Sequence, residues 1–440
     1  MRNWILRRSG PVLRRGLLGA SAMDAGIWAP QGSAAGDGSV TGQGDRRQGN
    51  EGRARTGNEP EGQPVPLASV RTRGVSPRGC GAGGCDVRLY GALDLGTNNC
   101  RLLVARPSRR GFLVIDAFSR IIRLGEGVSR SGVLSEEAMG RTIEALKVCS
   151  SKLANRGVER TRLIATEACR VASNSAEFIE RVRLETGLEI EIVSRETEAR
   201  LAVSGCASLI DHSCDWALVF DIGGGSSELV WLDLTRLRCA RRQRLHDRVA
   251  IQNCIAGWTS LPVGVVTLSE QFGGQHVGPM VFEEMVACVA ERLDEFEQAH
   301  KISCHMAKGA AHFLGTSGTV TTIAGVHLGL NSYNRNKVDG CWLSVKEVRA
   351  VSKSLLAMSF DERARQPCIG SDRADLVLAG CAVLEAMLRV WPCDRLRVAD
   401  RGLREGILAT LMAEDGASRS RRHNPQRRGR RRRDCPKIPG

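Results

Sequence analysis

The amino-acid sequence predicts an α/β protein assembled from two related domains, and three observations carry that reading. Apolar strand patterns alternate with segments of helical period across residues 88–415, the mixture expected when helices pack on sheets. Two stretches, Tyr90 to Val104 and Ala217 to Val230, repeat one pattern of apolar strand, Asp-x-Gly, small polar turn and second apolar strand. Their aspartates, Asp94 and Asp221, lie 127 residues apart, a separation suited to duplicated domains rather than to a solenoid. The region containing both stretches is also nearly neutral, because the net charge of +15 is concentrated at the chain ends.

The elements follow in order. Residues 1–86 hold 18 of the 49 glycines and carry +5. No apolar period is sustained from Gly26 to Gly84, so this extension is expected to be disordered. Its first 22 residues interleave arginines with apolar side chains and make a poor signal peptide. A weak membrane-surface helix and a gene start set too far upstream are equal readings of them. Folded sequence begins near Arg88. Leu89 to Val104 reads as strand, turn, strand, and Phe112 to Ile122 continues in strands. Ser135 to Asn155 has helical spacing, with Ser135 as N-cap. Thr161 to Ala165 and Leu188 to Val193 read as strands; Ser175 to Thr186 and Glu196 to Ala207 read as helices. Trp216 to Leu232 repeats the strand, turn, strand pattern. Pro279 to Ala299, Val345 to Met358, Ala374 to Trp391 and Leu403 to Met412 complete the helices.

The expected division is a first lobe over 87–212 and a second over 213–416, the last helix able to pack back on the first lobe. A disordered basic tail, 417–440, carries +9, largely from Arg427, Arg428 and Arg430 to Arg433. The chain of 440 residues is 42% hydrophobic and 25% charged, and has no run of about 18 apolar residues, so no transmembrane helix is expected. Aromatics are 4%, with two tyrosines, which argues against a stacking surface for single-stranded nucleic acid. The 16 cysteines include no CxxC pair and read as reduced thiols of a cytoplasmic protein without structural zinc.

The repeated turn has specific chemistry. An aspartate at a strand end can hold a hydrated divalent cation, and the glycine and small polar residues after it present backbone N–H groups to phosphate oxygens. The first turn offers Gly96, Thr97, Asn98 and Asn99; the second offers Gly223, Gly224, Gly225, Ser226 and Ser227. Facing each other, two such hairpins would clamp an anion chain between domains. A third loop, Gly315, Thr316, Ser317, Gly318 and Thr319, lies between an apolar strand and a helix start, where backbone amides form an anion site. No GxxxxGK[ST] loop is present, and Gly223 to Gly225 lead into a strand where a dinucleotide fold needs a helix. Glu196 and Glu198 lie about 200° apart on a helix, so only one can readily face a cleft. Glu228 shares such a cleft if its strand face is the right one, with metal ligand and water orienter both open as its role.

Several motifs in this order resemble the exopolyphosphatase and guanosine pentaphosphate phosphatase (Ppx/GppA) family over about residues 88–415. They are Leu93 to Leu103, Ile164 to Asn174, Glu189 to Arg200, Phe220 to Glu228, Leu261 to Gly264, Gly315 to Thr319 and Gly402 to Gly406. The resemblance implies two ribonuclease H-like lobes of the actin, sugar kinase and Hsp70 superfamily, an interdomain cleft, and water as phosphoryl acceptor. It implies Glu198 as general base, Arg170 as a phosphate-holding catalytic residue, and Asp94, Asp221 and Glu228 beside Mg²⁺, or Mn²⁺ in its place. The expected reaction is release of orthophosphate from the end of inorganic polyphosphate. The alternatives are 5′-phosphate hydrolysis of guanosine pentaphosphate and, less favoured, a regulator that binds polyphosphate or nucleotide without catalysis. The chain stops before the HD-type region of long family members, which leaves a homodimer as an option only.

The basic tail is expected to recruit a polyanion, with polyphosphate and nucleic acid as rival ligands. For polyphosphate, truncation after Asp415 should raise KM for long chains at low salt, with little change for tripolyphosphate or in turnover. Identical constants for both proteins at two salt concentrations would exclude recruitment.

Overall fold

The computed structural model describes residues 88–108, 111–239 and 249–416. The disorder expected for 1–86 and 417–440 and the tail's recruiting role lie outside the described residues. Within them, the chain builds two sheets of the same topology and two helices that cross from one sheet to the other.

In the first lobe β1 (Tyr90–Leu95) returns through a tight turn as β2 (Asn99–Ser108), followed by β3 (Gly111–Ile121) and a short α1 (Val128–Ser131). Next, α2 (Glu136–Asn155) starts where the Ser135 hydroxyl accepts the Ala138 N–H, as expected of an N-cap. It buries Met139, Ile143, Leu146 and Leu153 along one stripe. Then come β4 (Arg160–Ala165), α3 (Glu167–Val171), α4 (Ser175–Thr186), β5 (Glu191–Ile192) and α5 (Arg195–Cys206). The sheet order is β3-β2-β1-β4-β5; β1 pairs antiparallel with β2 and parallel with β4. The strand expected over Leu188 to Val193 shortens to two residues, because only Glu191 and Ile192 find ladder partners on β4. Leu188 and Ile190 are buried in the lobe's core without pairing.

The second lobe restates this order. Its elements are β6 (Trp216–Ile222), β7 (Ser227–Asp233), α6 (Thr235–Cys239), β8 (Ile255–Leu261), α7 (Val265–Phe272), α8 (Pro279–His300), α9 (Ile302–Ala307) and β9 (Ala311–Thr316). They continue with α10 (Ser317–His327), α11 (Arg335–Val338), β10 (Trp342–Ser344), α12 (Val345–Ala357), α13 (Phe360–Arg365), α14 (Val377–Val390), β11 (Arg395–Ala399) and α15 (Leu403–Glu414). The sheet runs β8-β7-β6-β9-β11-β10, which matches the first strand for strand and adds β10 at the edge. The duplication matches the repeat, and both sheets fit the ribonuclease H-like lobes that the resemblance implies. The helix predicted from Ala374 starts instead at Val377, after a 3₁₀ turn at Ser371–Arg373. The segments that become β8 and α7 were not read as elements in the sequence. Among the described residues no helix is long and apolar enough to cross a membrane.

The lobes exchange their last helices. Ala199, Val203 and Cys206 of α5, which follows the first sheet in sequence, pack on Ala217, Val219, Val230 and Leu232 of the second sheet. Leu403, Ile407, Leu408 and Leu411 of α15, which follows the second sheet, pack on Tyr90, Ala92, Leu103 and Ile164 of the first. Asp415, just past α15, accepts from Arg88 Nη1 at 2.8 Å and from the Tyr90 hydroxyl at 3.0 Å. The two helices cross at glycines. A Cβ on Gly205 would lie 1.8 Å from the Gly402 carbonyl oxygen, and one on Gly406 would lie 1.9 Å from that of Leu201. The backbones touch, so no side chain fits. Gly406→Ala is therefore expected to destabilise the protein by about 1–3 kcal/mol through overpacking. Gly140→Ala, on α2 with nothing within 4 Å of its Cβ position, should stabilise by about 0.5–1 kcal/mol. Urea unfolding of the two variants checks the contrast, and equal stability would refute the crossing constraint.

Candidate active site

Three loops converge on the space between the sheets. Gly96 N–H donates to Asn99 O at 2.9 Å, and Gly223 N–H to Ser226 O at 2.9 Å, so the repeated turns close with the same hydrogen bond. They also pack together: a Cβ on Gly224 would sit 2.9 Å from Thr97 Cβ, and one on Gly225 2.8 Å from Thr97 Oγ1 and 3.0 Å from Glu167 Cγ. The first amides of α7 anchor the second turn, Val265 N–H on Gly223 O at 2.9 Å and Val266 N–H on Gly224 O at 2.8 Å. Gly264, just before them, packs on the same turn, where a Cβ would lie 2.4 Å from Gly224 O. The third loop joins through Ser317, whose hydroxyl donates to Ile222 O at 2.6 Å. Ser317 holds φ at 77°, a left-handed conformation that is costly outside glycine and typical of functional loops.

Four predicted phosphate-binding residues turn away from this space. The Thr316 hydroxyl is buried and donates to Arg401 O at 2.8 Å. The Ser227 hydroxyl is buried and donates to Val263 O at 2.7 Å. Gly315 lies inside β9, where a Cβ would meet the Phe220 ring at 2.6 Å. Thr319 is buried against Gly380. The hydroxyls of Ser227 and Thr316, the packed side chain of Thr319 and the small size of Gly315 serve the frame that carries the loops.

Strand register places the acidic groups. In an antiparallel ladder directly opposed residues share a face, so Asp94 stands beside Arg101 and Asp221 beside Glu228. Glu228 Oε1 accepts from the hydroxyls of Ser226 at 2.6 Å and Ser260 at 2.9 Å. Glu198 sits in the first turn of α5, and Arg170 Nη1 approaches its Oε2 to 2.7 Å. Glu196 is exposed and pairs with Arg200 on the same helix at 2.8 Å, so Glu198 is the member of the pair that faces inward. Burial raises the pKa of all four inward carboxylates. Glu198 is held well above the usual carboxylate range, burial and then the Glu228 charge being the main causes. Glu228 is raised to about 7 by burial, with the Asp221 charge adding to it. Asp221 is raised to about 6 by burial and then by Asp94, and Asp94 is raised by burial.

This group fits a hard divalent cation in an open site. Its donors are oxygens, the preference of Mg²⁺ and Mn²⁺. The carboxylates repel one another, and Asn98 Oδ1, Asn99 Oδ1 and Glu198 Oε2 are buried without a hydrogen-bond partner. Among the described residues no three Asp, Glu, His or Cys side chains converge into a ready cage. Asp94, Asp221 and Glu228 therefore do not enclose an ion by themselves; one or two of them, with water and ligand oxygens, would complete the coordination.

Four residues of the site were not assigned roles from sequence. Arg373 and Arg404 have lowered pKa values, mainly through burial, and each feels the positive charge of Arg101. None of the three guanidiniums has an ion-paired or hydrogen-bonded partner among the described residues, whereas neighbouring Arg335 is held by Glu405 at 2.7 Å. Asp94, Glu405, Asp372 and Asp400 attract these guanidiniums without pairing with them, and cations held short of a direct partner form a site for anions. Arg101 and Arg404 lie inside motifs legible in the sequence, but Arg373 had no signal of its own. Glu167 is the fourth; it is 6% exposed and grips both Arg170 and Arg195.

Comparison with known proteins bears on the arrangement. The family described as the Ppx/GppA phosphatase family matches residues 103–415. A protein of Pseudoalteromonas translucida named guanosine-5′-triphosphate,3′-diphosphate pyrophosphatase is 26% identical over 74% of this chain and 60% of its own length. The chain thus spans less than two thirds of that relative. A putative exopolyphosphatase of Haemophilus influenzae is 25% identical over 74% of this chain and 92% of its own. The crystal structure of the Aquifex aeolicus Ppx/GppA family member superposes with a TM-score of 0.60 at 27% identity, covering 75% of this chain and 99% of that one.

The raised carboxylates have a measurable consequence. A group whose folded pKa exceeds its unfolded value contributes stability that is full below the unfolded pKa and lost as pH rises through the folded one. For Asp221 and Glu228 that window runs from about 4 to about 7. In chelator, the melting temperature should therefore fall between pH 5 and pH 8. Excess Mg²⁺ should restore it more at pH 8 than at pH 5. A melting temperature independent of both pH and Mg²⁺ would contradict the assignment.

Proposed function

Because this chain belongs to the Ppx/GppA phosphatase family, we propose that it hydrolyses the terminal phosphoanhydride of inorganic polyphosphate. One observation carries the reading: a buried carboxylate, Glu198, in contact with a phosphate-suited guanidinium, Arg170, beside two facing glycine turns. Glu198 is the group placed to take a proton from water, and its raised pKa makes it a better base than a solvated carboxylate. The water oxygen bonds to the terminal phosphorus as the bridging P–O bond breaks. The shortened chain leaves with that electron pair, and orthophosphate carries the new P–O bond. The Arg170 fork, the amides at Thr97 to Asn99, Gly224 to Ser226 and Ser317 to Gly318, and the cationic cluster of Arg101, Arg373 and Arg404 orient the phosphates and balance their charge. Mg²⁺ bound at Asp94, Asp221 or Glu228 would add charge neutralisation on phosphate oxygens.

A second reading, 5′-phosphate hydrolysis of guanosine pentaphosphate, is supported by the name of the Pseudoalteromonas relative. Tyr333, 41% exposed and two residues before Arg335, is an aromatic surface of the kind a base can stack on. Phosphate release from long polyphosphate, tripolyphosphate, guanosine pentaphosphate and ATP under one Mg²⁺ condition separates the readings.

Glu198→Gln should lower kcat on the preferred substrate by about 10²–10⁴-fold while leaving polyphosphate binding nearly intact. The acid limb of the wild-type pH–rate profile should lie above the ordinary glutamate range, because the base must be ionised and its pKa is raised. A folded variant with near-normal turnover would overturn the role of Glu198.

A further inference from the structure

We propose that Glu167 is a positioning residue that locks the orientation of Arg170 and ties it to the start of the base-carrying helix; this rests on the reaction proposed above. Glu167 lies at the first position of α3, separated from the end of β4 by one residue. Its Oε2 accepts from Arg170 Nε at 2.8 Å and from Arg195 Nε at 3.1 Å, and its Oε1 from Arg195 Nη2 at 2.5 Å. Arg195 is the first residue of α5, three before Glu198. One carboxylate therefore joins the guanidinium that meets the base to the helix end that carries it.

The remaining edges of Arg170 explain why such a lock matters. Nη1 donates to Val193 O at 3.0 Å and lies 2.7 Å from Glu198 Oε2. Nη2 is 2.8 Å from Glu167 Oε2 but misaligned, and it is left buried without a hydrogen-bond partner. Glu198 Oε2 is in the same condition. The two groups meant to meet substrate thus retain unspent hydrogen-bonding capacity, while Nε, the edge not needed there, is held by Glu167. Glu167 is also in place to register the other lobe, since its Cγ and Cβ pack at the Gly225 turn. In contrast to the four inward carboxylates, it is held below the usual range despite burial, because Arg195 and Arg170 stabilise its charge. It stays ionised and acts as a fixed anchor.

Without this charge Arg170 has one carboxylate partner left, Glu198. The guanidinium would settle fully on the base, consuming the hydrogen-bonding capacity that both groups offer the reaction. Binding of a polyanion, shared with many other groups, would change far less.

The test uses the full chain and three measurements: kcat and KM for tripolyphosphate with Mg²⁺, the melting temperature, and the side-chain ¹H–¹⁵N signal of Arg170 Nε–H, assigned through Arg170→Lys. Glu167→Gln keeps the size and one acceptor but removes the charge. It should lower kcat about 10- to 100-fold, as expected for misplaced reacting groups, with KM within about threefold and a slow-exchanging Nε–H signal lost. Glu167→Asp keeps the charge on a shorter arm and should recover part of kcat and of the signal. Wild-type kcat in Glu167→Gln would overturn the proposal. So would equal losses of kcat in both variants matched by equal losses of melting temperature, which would make Glu167 a residue of the fold alone. If the wild type releases phosphate from none of the four compounds, the reaction reading fails. The lock is then decided by the Nε–H signal, whose survival in Glu167→Gln would refute it and whose loss would support it.

Discussion

The structure depends on the backbone contact between α5 and α15. Each helix closes the core of the sheet that it does not follow in sequence, and the two can do so only by crossing where Gly205 and Gly406 allow direct approach. That crossing sets the start of α5, hence the height of Glu198 over the turns, and the start of α15, hence Arg404. The inter-lobe space is therefore positioned by two rigid elements rather than by loops alone. The first turn, the second turn and Ser317 then meet by contact and by hydrogen bond.

The duplicated hairpins are alike in backbone and opposite in charge. Asp94 stands across from Arg101, while Asp221 stands across from Glu228. One repeat contributes a cation and the other a second anion, so carboxylates gather on the second lobe's turn and guanidiniums toward Arg373 and Arg404. Burial keeps both sets poorly solvated, which strengthens their response to ligand charge. Such a polarised space suits a substrate that brings negative charge together with a bound cation.

What was legible in the sequence was local or repeated. The Asp-x-Gly hairpins, the Ser135 cap and the long amphipathic helices are short-range patterns, and the structure holds them close to where the residues place them. Glu198 could not be separated from Glu196 by periodicity, because a helix wheel shows two faces without saying which one meets a cleft. The exposed Glu196–Arg200 pair answers that only once α5 is packed. Arg373 gave no signal because its meaning lies in proximity to Arg101, 272 positions earlier. Ser227, Gly315, Thr316 and Thr319 look like their loop neighbours in sequence, but strand alternation and close packing turn them into the frame. Glu167 was visible within a motif, yet its role needs both Arg170 and Arg195 in space.

The exchange of α5 and α15 also bears on how the chain is made. The first sheet is complete once β5 has been synthesised, but the apolar face formed by Tyr90, Ala92, Leu103 and Ile164 is covered by α15, the last element of the second lobe. As the chain emerges from the ribosome, that surface stays bare until about two hundred further residues have been added. The first lobe therefore cannot mature as an autonomous unit during translation. Docking of α15 onto that face thus ties the completion of the first lobe's core to the synthesis of the second lobe.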